Sequence, residues 1–218
     1  MIGEHLAKLD TKTKILIHAE KLFAKQGFNS TSLREITTEA EVNLASVNYH
    51  FGSKKTLIQA VLSRYLALFM PQLIKELDQA ENNLASTVNC FFNALRILDT
   101  INSDSAKNFL MLVGRGYSES QGHLRRYIQS SYAQELNQIF EHFNRVTPHL
   151  NKEALFWRLH FCLGAMVFTM SSSSALSEIS ESDWGASINV NHLMQKLVPF
   201  INASLATQTQ INLTQGEV

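Results

Sequence analysis

Apolar residues recur at three- and four-residue spacing along almost the whole chain, and no sustained alternation interrupts them, so the pattern predicts helices, no sheet and no internal repeat. Ile15, Leu16, Ala19, Leu22 and Phe23 make one side of a first helix over about 13–25, with Gly27 placed to end it. Ser32 and Glu35 stand three apart, as in a reciprocal capping box, and open a second helix near Leu33 with Ile36 and Ala40 facing inward. Asn43 has the short acceptor side chain of a cap and starts a third helix near Leu44. Val47 and Phe51 lie one turn apart on its inner side, which leaves Leu44, Ala45, Ser46, Asn48 and Tyr49 on or near the other. Ser53 caps a fourth helix that runs through Leu57, Ile58, Val61, Leu62, Tyr65 and Leu66 to Pro71, where the missing N–H should kink or end it.

Further helices are expected near 84–101, 105–117, 121–146, 152–174 and 190–206. The segment Leu155–Met170 is apolar around nearly its whole circumference and must be covered on several sides, with Gly164 and Ala165 permitting close approach. One side faces the domain interior. Another is expected to pack on a partner around Gly164, Ala165 and Phe168, helped by the last helix with Leu193, Leu197, Phe200 and Ile201. The chain therefore reads as all-α, with a helix-turn-helix domain over 1–56, a larger helical domain over 57–218 that packs on a partner, and a flexible tail from about 208.

Two short helices joined by a tight turn, followed at once by a third helix start, make DNA the first partner to consider. Ser46 and Asn48 are the favoured base readers, because a hydroxyl addresses several base edges and a carboxamide matches the donor and acceptor pair of adenine. Leu44 and Ala45 suit thymine methyl groups, while Tyr49 and Lys54 suit phosphates. Thr31, Ser32 and Arg34 near the preceding helix start add hydroxyl, N–H and guanidinium donors for the backbone, with capping and ordinary surface charge as the alternative. Asn43 and His50 flank the same surface, His50 more as a packing group than as a pH switch.

These residues resemble the N-terminal domain of the TetR family of bacterial transcription regulators. The likeness is carried by Ile15–Gly27 (ILIHAEKLFAKQG), Thr31–Ile36 (TSLREI) and Val42–Leu57 (VNLASVNYHFGSKKTL), with a departure at Asn48, where many members carry an aromatic residue. The resemblance implies that the third helix enters the major groove, that 57–218 is a ligand-binding and dimerisation domain, and that the last two long helices build a two-fold dimer interface. A second resemblance, over Ser120–Ile128 (SQGHLRRYI) and Leu155–Ala165 (LFWRLHFCLGA), is to the PsrA-type regulators of fatty-acid catabolism. It implies a long-chain fatty acid or acyl-CoA as effector. Phe69, Met70, Phe91, Phe109, Met111, Phe140, Trp157 and Phe161 are then candidate lining groups, and Arg115 and Arg158 candidate headgroup partners. Most large side chains in any domain are ordinary core. Arg115 and Arg158 have the alternatives of pairing with Glu119, Glu153 or a carbonyl.

Composition narrows this without redirecting it. With 218 residues and 45% hydrophobic content the chain can bury a sizeable core. Its formal net charge is zero, yet residues 1–65 carry nine Lys/Arg against six Asp/Glu and 66–218 carry ten against thirteen, so the basic surface is local to the head. Cys90 and Cys162 have neither metal-ligand nor disulfide-scaffold spacing and read as buried thiols in a reducing cytoplasm. The N-terminus lacks the order of a signal peptide, and Arg158 and His160 interrupt an apolar stretch too short to span a bilayer comfortably, so no membrane insertion is expected. No P-loop, nucleophile elbow or zinc-ligand pair appears, and neither a metal, a cofactor nor enzyme activity is expected. The reading is a cytoplasmic homodimeric repressor of a pseudopalindromic operator, released by an apolar ligand. The rivals are a TetR-type regulator of another apolar ligand, a ligand-independent DNA-binding regulator, a helical lipid carrier and an acyl-thioester enzyme.

Overall fold

The computed structural model describes residues 9–119 and 122–208, and these are helical, with no strand among them. In chain order the helices are α1 (Thr11–Gln26), α2 (Leu33–Glu39), α3 (Leu44–Phe51), α4 (Lys54–Gln79) and α5 (Leu84–Arg96), the last running into a 3₁₀ turn over Ile97–Thr100. There follow α6 (Ser105–Ser118), α7 (Gly122–Ser131), α8 (Ala133–Val146), α9 (Lys152–Ser171), α10 (Ser173–Trp184) and α11 (Val190–Ala206). The tail expected from about 208 falls almost wholly outside the described residues, as does Ser120.

The chain forms two compact units, each assembled from two stretches: Met1–Gln72 with Ala94–Gln134, and Leu73–Asn93 with Glu135–Val218. The head boundary expected at 56/57 lies inside the first of them. In that unit Ile15, Ala19 and Phe23 of α1, Ile36 of α2 and Val47 of α3 are fully buried, and Phe23 meets Phe28 edge-on at 5.3 Å. The first five turns of α4 add Leu57, Val61, Leu62 and Tyr65, and α6 adds Phe109, Leu110 and Leu112. In the second unit Leu73 and Leu77 of α4, Val88 of α5 and Phe143 of α8 are buried, and α9 packs on α11 through Leu155, Cys162 and Met166 on one side and Leu193, Leu197, Ile201 and Leu205 on the other.

Four departures from the expected elements have local causes. α4 does not end at Pro71 but continues to Gln79. Pro71 and Ala67 are both exposed, so the bond that the proline cannot make is lost on the water side, while Leu73 and Leu77 anchor the last turns. The helix expected over 84–101 tightens after Arg96 into the 3₁₀ turn. The one expected over 121–146 breaks at Tyr132, just after Ser130 has turned its hydroxyl onto the Tyr127 carbonyl. The helix expected over 152–174 ends at Ser171 in the serine run, and the same run starts α10, a helix absent from the expected set, which left-handed Gly185 closes.

By length and composition alone α9, at 20 residues and a mean hydropathy of 1.3, and α4, at 26 residues and 1.4, are long and apolar enough to cross a membrane, as core helices of folded proteins also are. What ties α9 into the protein is its contact with α11. Arg158 donates to the Ser204 carbonyl at 2.7 Å and to that of Thr207, closing the C-terminal end of α11.

Candidate nucleic-acid interface

The helix-turn-helix is built by its caps. The Glu35 N–H donates to Ser32 Oγ at 3.1 Å and the Ser32 N–H donates to Glu35 Oε2 at 2.6 Å, so the capping box is complete. Those bonds from Ser32, with a weaker one from Gln26, hold the Glu35 carboxyl below its ordinary range and commit its charge to the helix start. The turn bends at Glu41, whose φ of 53° is in the left-handed region, and the Val42 N–H returns to the Thr37 carbonyl at 3.0 Å. Asn43 then accepts from the Ala45 N–H at 2.9 Å and fixes the start of α3. Gly52, with φ 72°, ends α3, and Ser53 Oγ accepts from the Thr56 N–H at 3.1 Å to open α4 within two residues.

These connections orient α3 with Val47 and Phe51 buried and Leu44, Ala45, Asn48 and Tyr49 exposed. Ser46 and His50 are half-buried beside them, as is Lys54 at the head of α4. Tyr49 is 85% exposed, held only edge-on by the His50 ring at 5.0 Å. A large aromatic phenol presented to water next to a carboxamide and a hydroxyl is an arrangement suited to a nucleic acid groove, where the ring packs on sugar and the hydroxyl meets phosphate. Arg34 and Ser32 are exposed on the adjoining α2 start. Thr31 is placed differently from expectation. It is 1% exposed and its hydroxyl donates to the Gly27 carbonyl at 2.7 Å, so its polar group is spent inside the turn rather than offered to phosphate.

The candidate effector residues divide between the two units. Phe69 and Phe109 come together at 5.3 Å and Phe109 meets Tyr65 at 5.5 Å, in a buried cluster of the first unit; Met70 is also buried on α4 and Met111 is half-buried on α6. Burial raises the Tyr65 phenol pKa far above its ordinary value, and the nearby Glu20 carboxylate adds to it. Arg115 donates to the Lys25 carbonyl at 3.3 Å and lies 4.0 Å from Glu119, and Arg158 closes α11, so for both guanidiniums the structural pairing is the one realised. In the second unit Phe91 and Phe140 are half-buried. Trp157 and Phe161 stack at 6.0 Å on the outer side of α9, 51% and 66% exposed, away from any interior. An open cleft of about 630 Å³ lies between the end of α4 and α5, lined by Glu76, Glu81, Asn83, Ser86, Asn89 and Asn93, and none of the aromatic candidates faces it.

The dimerisation candidates also separate. Gly164 and Phe168 are exposed and continue the outer line of Trp157 and Phe161 at steps of four, three and four residues, with Ala165 beside them and Phe200 exposed on α11. Leu193 and Leu197 are instead buried within the chain, against α9. Sequence reading missed the partners that the structure gives to the head: Asp10, which caps α1 by accepting from the Thr13 N–H at 2.9 Å, and the carboxylates of Glu119 and Glu20. Asp10 was legible as an acceptor three residues ahead of Thr13; the other two depend on pairings across about ninety and forty residues, which spacing does not reveal.

An all-helical chain that opens with a helix-turn-helix and continues into a larger helical part is the architecture of a one-component DNA-binding regulator. Residues 89–204, more than half of the chain, match the tetracyclin repressor-like C-terminal domain, and residues 15–61 match the bacterial regulatory proteins of the tetR family. The chain belongs to the TetR family of transcription regulators. Among curated relatives it is 35% identical over 79 residues to YttP of Bacillus subtilis, named a probable HTH-type transcriptional regulator, with 36% of each chain covered. It is 25% identical over 136 residues to the nicotine-responsive transcriptional repressor HdnoR of Paenarthrobacter nicotinovorans, covering 62% of this chain and 69% of that one. The chain spans between a third and a half of the length of the first curated relatives it matches. Among solved structures, a TetR-family regulator from Shewanella sp. PV-4 superposes with a TM-score of 0.62 at 18% identity, over 92% of this chain and all of that one. PfmR from Thermus thermophilus superposes at 0.59 and 16% identity, over 88% and 96%. At such identities these two share the fold.

Proposed function

We propose that the chain acts in the cytoplasm as a homodimeric repressor that binds a pseudopalindromic operator through the outward face of α3 and is released by a small effector. The observation that carries the DNA reading is that face itself: Leu44, Ala45, Ser46, Asn48 and Tyr49 turned outward from a helix whose inner side is locked by Val47 and Phe51. Residues 1–56 are the operator-binding head in this reading, and the remainder binds effector and partner. Two-fold symmetry then sets the two α3 helices about 34–36 Å apart, or a multiple of that, to meet major grooves on one side of the duplex. The exposed line Trp157, Phe161, Gly164 and Phe168, with Phe200, supports the second copy as the cover for α9.

The effector in this reading is a long-chain fatty acid or its CoA thioester. It is supported by the resemblance over 120–128 and 155–165 and by the aromatic side chains of Tyr65, Phe69 and Phe109 gathered in the first unit. A second reading, a small organic cation, is favoured by the acidic and carboxamide lining of the cleft at Glu76, Glu81 and Asn89. It accords with a relative named for its response to nicotine and with a structural neighbour from Saccharomonospora viridis, TM-score 0.57 at 18% identity, solved in complex with choline.

Genomic fragments selected by the purified protein, alone and with oleate, oleoyl-CoA, nicotine or choline, test all of this. A palindrome recovered without ligand and lost with one of them supports repressor and effector together; a palindrome indifferent to all four removes both effector assignments. Asn48→Ala should lose about 1–3 kcal/mol of discrimination at the base it reads, and equal losses on operator and random DNA would reject that role. Lys54→Ala should weaken all duplexes alike and lower the salt dependence of binding.

A further inference from the structure

The turn that joins α1 to α2 is held from outside the helix-turn-helix. Glu119, the residue that follows α6, lays its carboxylate against it: Oε1 accepts from the Phe28 N–H at 3.1 Å and Oε2 from the Asn29 N–H at 2.6 Å. Two successive amides just beyond the end of α1 are thus answered by one charged acceptor, the stronger class of hydrogen bond. One turn earlier on α6, Arg115 donates to the Lys25 carbonyl, so α6 grips the last turn of α1 as well as the loop. Farther back Asn108 reaches Glu20 of α1 at 3.4 Å, and the same buried carboxylate accepts from Arg64 of α4 at 3.1 Å. Gly27 is what admits the Glu119 carboxylate. Its φ is +91°, and a Cβ at that position would collide with Glu119 Oε1. The held turn leads directly into the operator surface, since Thr31 bonds back to the Gly27 carbonyl and the next residue is Ser32, the cap of α2.

We propose that Glu119 is a positioning residue for operator recognition. It fixes the α1–α2 turn, and through it the α2 start and α3, in the orientation that DNA requires, and it makes α6 a second connection to the head beside the continuous chain through α4. The inference rests on the reading of α3 as the DNA-reading helix and deepens it. Without the clamp the head samples other orientations, and operator affinity falls by the fraction of molecules that remain competent.

The test uses the full chain, a duplex recovered by the selection above and a random duplex of equal length. Binding is read by fluorescence anisotropy and amide exchange by mass spectrometry or NMR. Glu119→Gln is expected to weaken operator binding by about tenfold or more, as loss of a charged acceptor on two amides should, and to speed exchange at Phe28 and Asn29. Glu119→Asp, which keeps the charge at shorter reach, should fall between. Gly27→Ala should weaken binding too, and the double variant Gly27→Ala/Glu119→Ala should bind no more weakly than Gly27→Ala alone, because the collision needs the carboxylate. Unchanged operator affinity in Glu119→Gln overturns the proposal, as does a loss with unchanged exchange at Phe28 and Asn29, or additive losses in the double variant. A wild-type protein that prefers no duplex over random DNA strikes the regulator reading itself, is seen before any variant is made, and takes this proposal with it.

Discussion

α4 and α9 each hold an 18-residue apolar stretch with no more than two charged residues, with mean hydropathies of 1.4 and 1.3. Their fates differ. Half of the apolar stretch of α4 is buried by its own chain, whereas for α9 the share is 28%. α4 has neighbours on several sides, so Leu57, Leu62, Leu66 and Leu73 all find cover. α9 is covered by α11 along one side, and Trp157, Phe161 and Phe168 face water on the other. Apolarity fixes that a helix must be covered; it says nothing about which chain supplies the cover. Where the shortfall is concentrated in a line of aromatics around an open glycine, the missing surface has the shape of another helix.

The contrast can be broken most forcefully on α9. Phe161→Glu with Phe168→Glu places charges in the line and is expected to convert the protein to monomers in sedimentation equilibrium and to abolish operator binding at concentrations where the wild type is saturated, while the helical circular dichroism signal stays. Loss of aromatic anchors of this kind costs about 2–4 kcal/mol each. A charged pair that leaves the mass unchanged would show that α9 meets no second copy. The corresponding cut on α4 is Leu62→Ala, 1% exposed, expected to lower unfolding free energy in urea by about 2–5 kcal/mol with the oligomeric state of the folded protein unaltered. If it dissociated the protein instead, the division between a self-covered and a partner-covered helix would fail.

Arg158→Ala sharpens the comparison at the covered side of α9. It removes donors to the Ser204 and Thr207 carbonyls, and it should cost about 1–3 kcal/mol in the same urea titration and free the end of α11 to faster amide exchange. The smallest effect is set by pH. Burial lowers the pKa of His142, Arg145 adds to the shift and Asp78 opposes it, while the ring sits 3.2 Å from Thr87 Oγ1 and 2.9 Å from Arg145. The unfolded chain therefore takes up the proton first as pH falls. The stability that His142 contributes is present above its unfolded pKa of about 6.5 and is lost as pH drops through the lower folded value. Melting temperature should decline from about pH 7 to about pH 5, less steeply in His142→Asn; an identical decline in that variant would clear His142 of the effect.

Much of this was legible beforehand because it is local. The capping box at Ser32 and Glu35, the Asn43 cap, the inward Val47 and Phe51 and the outward Asn48 and Tyr49 all follow from spacings of two to four residues, and the structure places each as expected. Thr31 was not legible, because its hydroxyl was counted as free when a carbonyl four residues back had claimed it. Of the two outcomes expected at Pro71, a kink or an end, the end does not occur, because the cost of a proline depends on whether its face is wet, which periodicity does not state. Among effector candidates the sequence does not state placement: Trp157 and Phe161 are as aromatic as Phe69 and Phe109, and only the packing separates an outer line from an inner cluster.

The first compact unit is sewn from residues on both sides of an insertion, 73–93, that belongs to the second. During synthesis the operator-binding helices emerge first, yet the groups that hold them come last: Asn108, Arg115 and Glu119 leave the ribosome some eighty to ninety residues after the Glu20, Lys25 and Phe28 they meet. At translation speeds of about 5–20 residues per second, the nascent head spends several seconds with its turn unclamped and Glu20 lacking its α6 partner. Under the positioning role proposed for Glu119, the order of the genetic message delays DNA competence until α6 has been made, and a prematurely terminated chain ending in α4 would carry α3 without the residues that steady its turn.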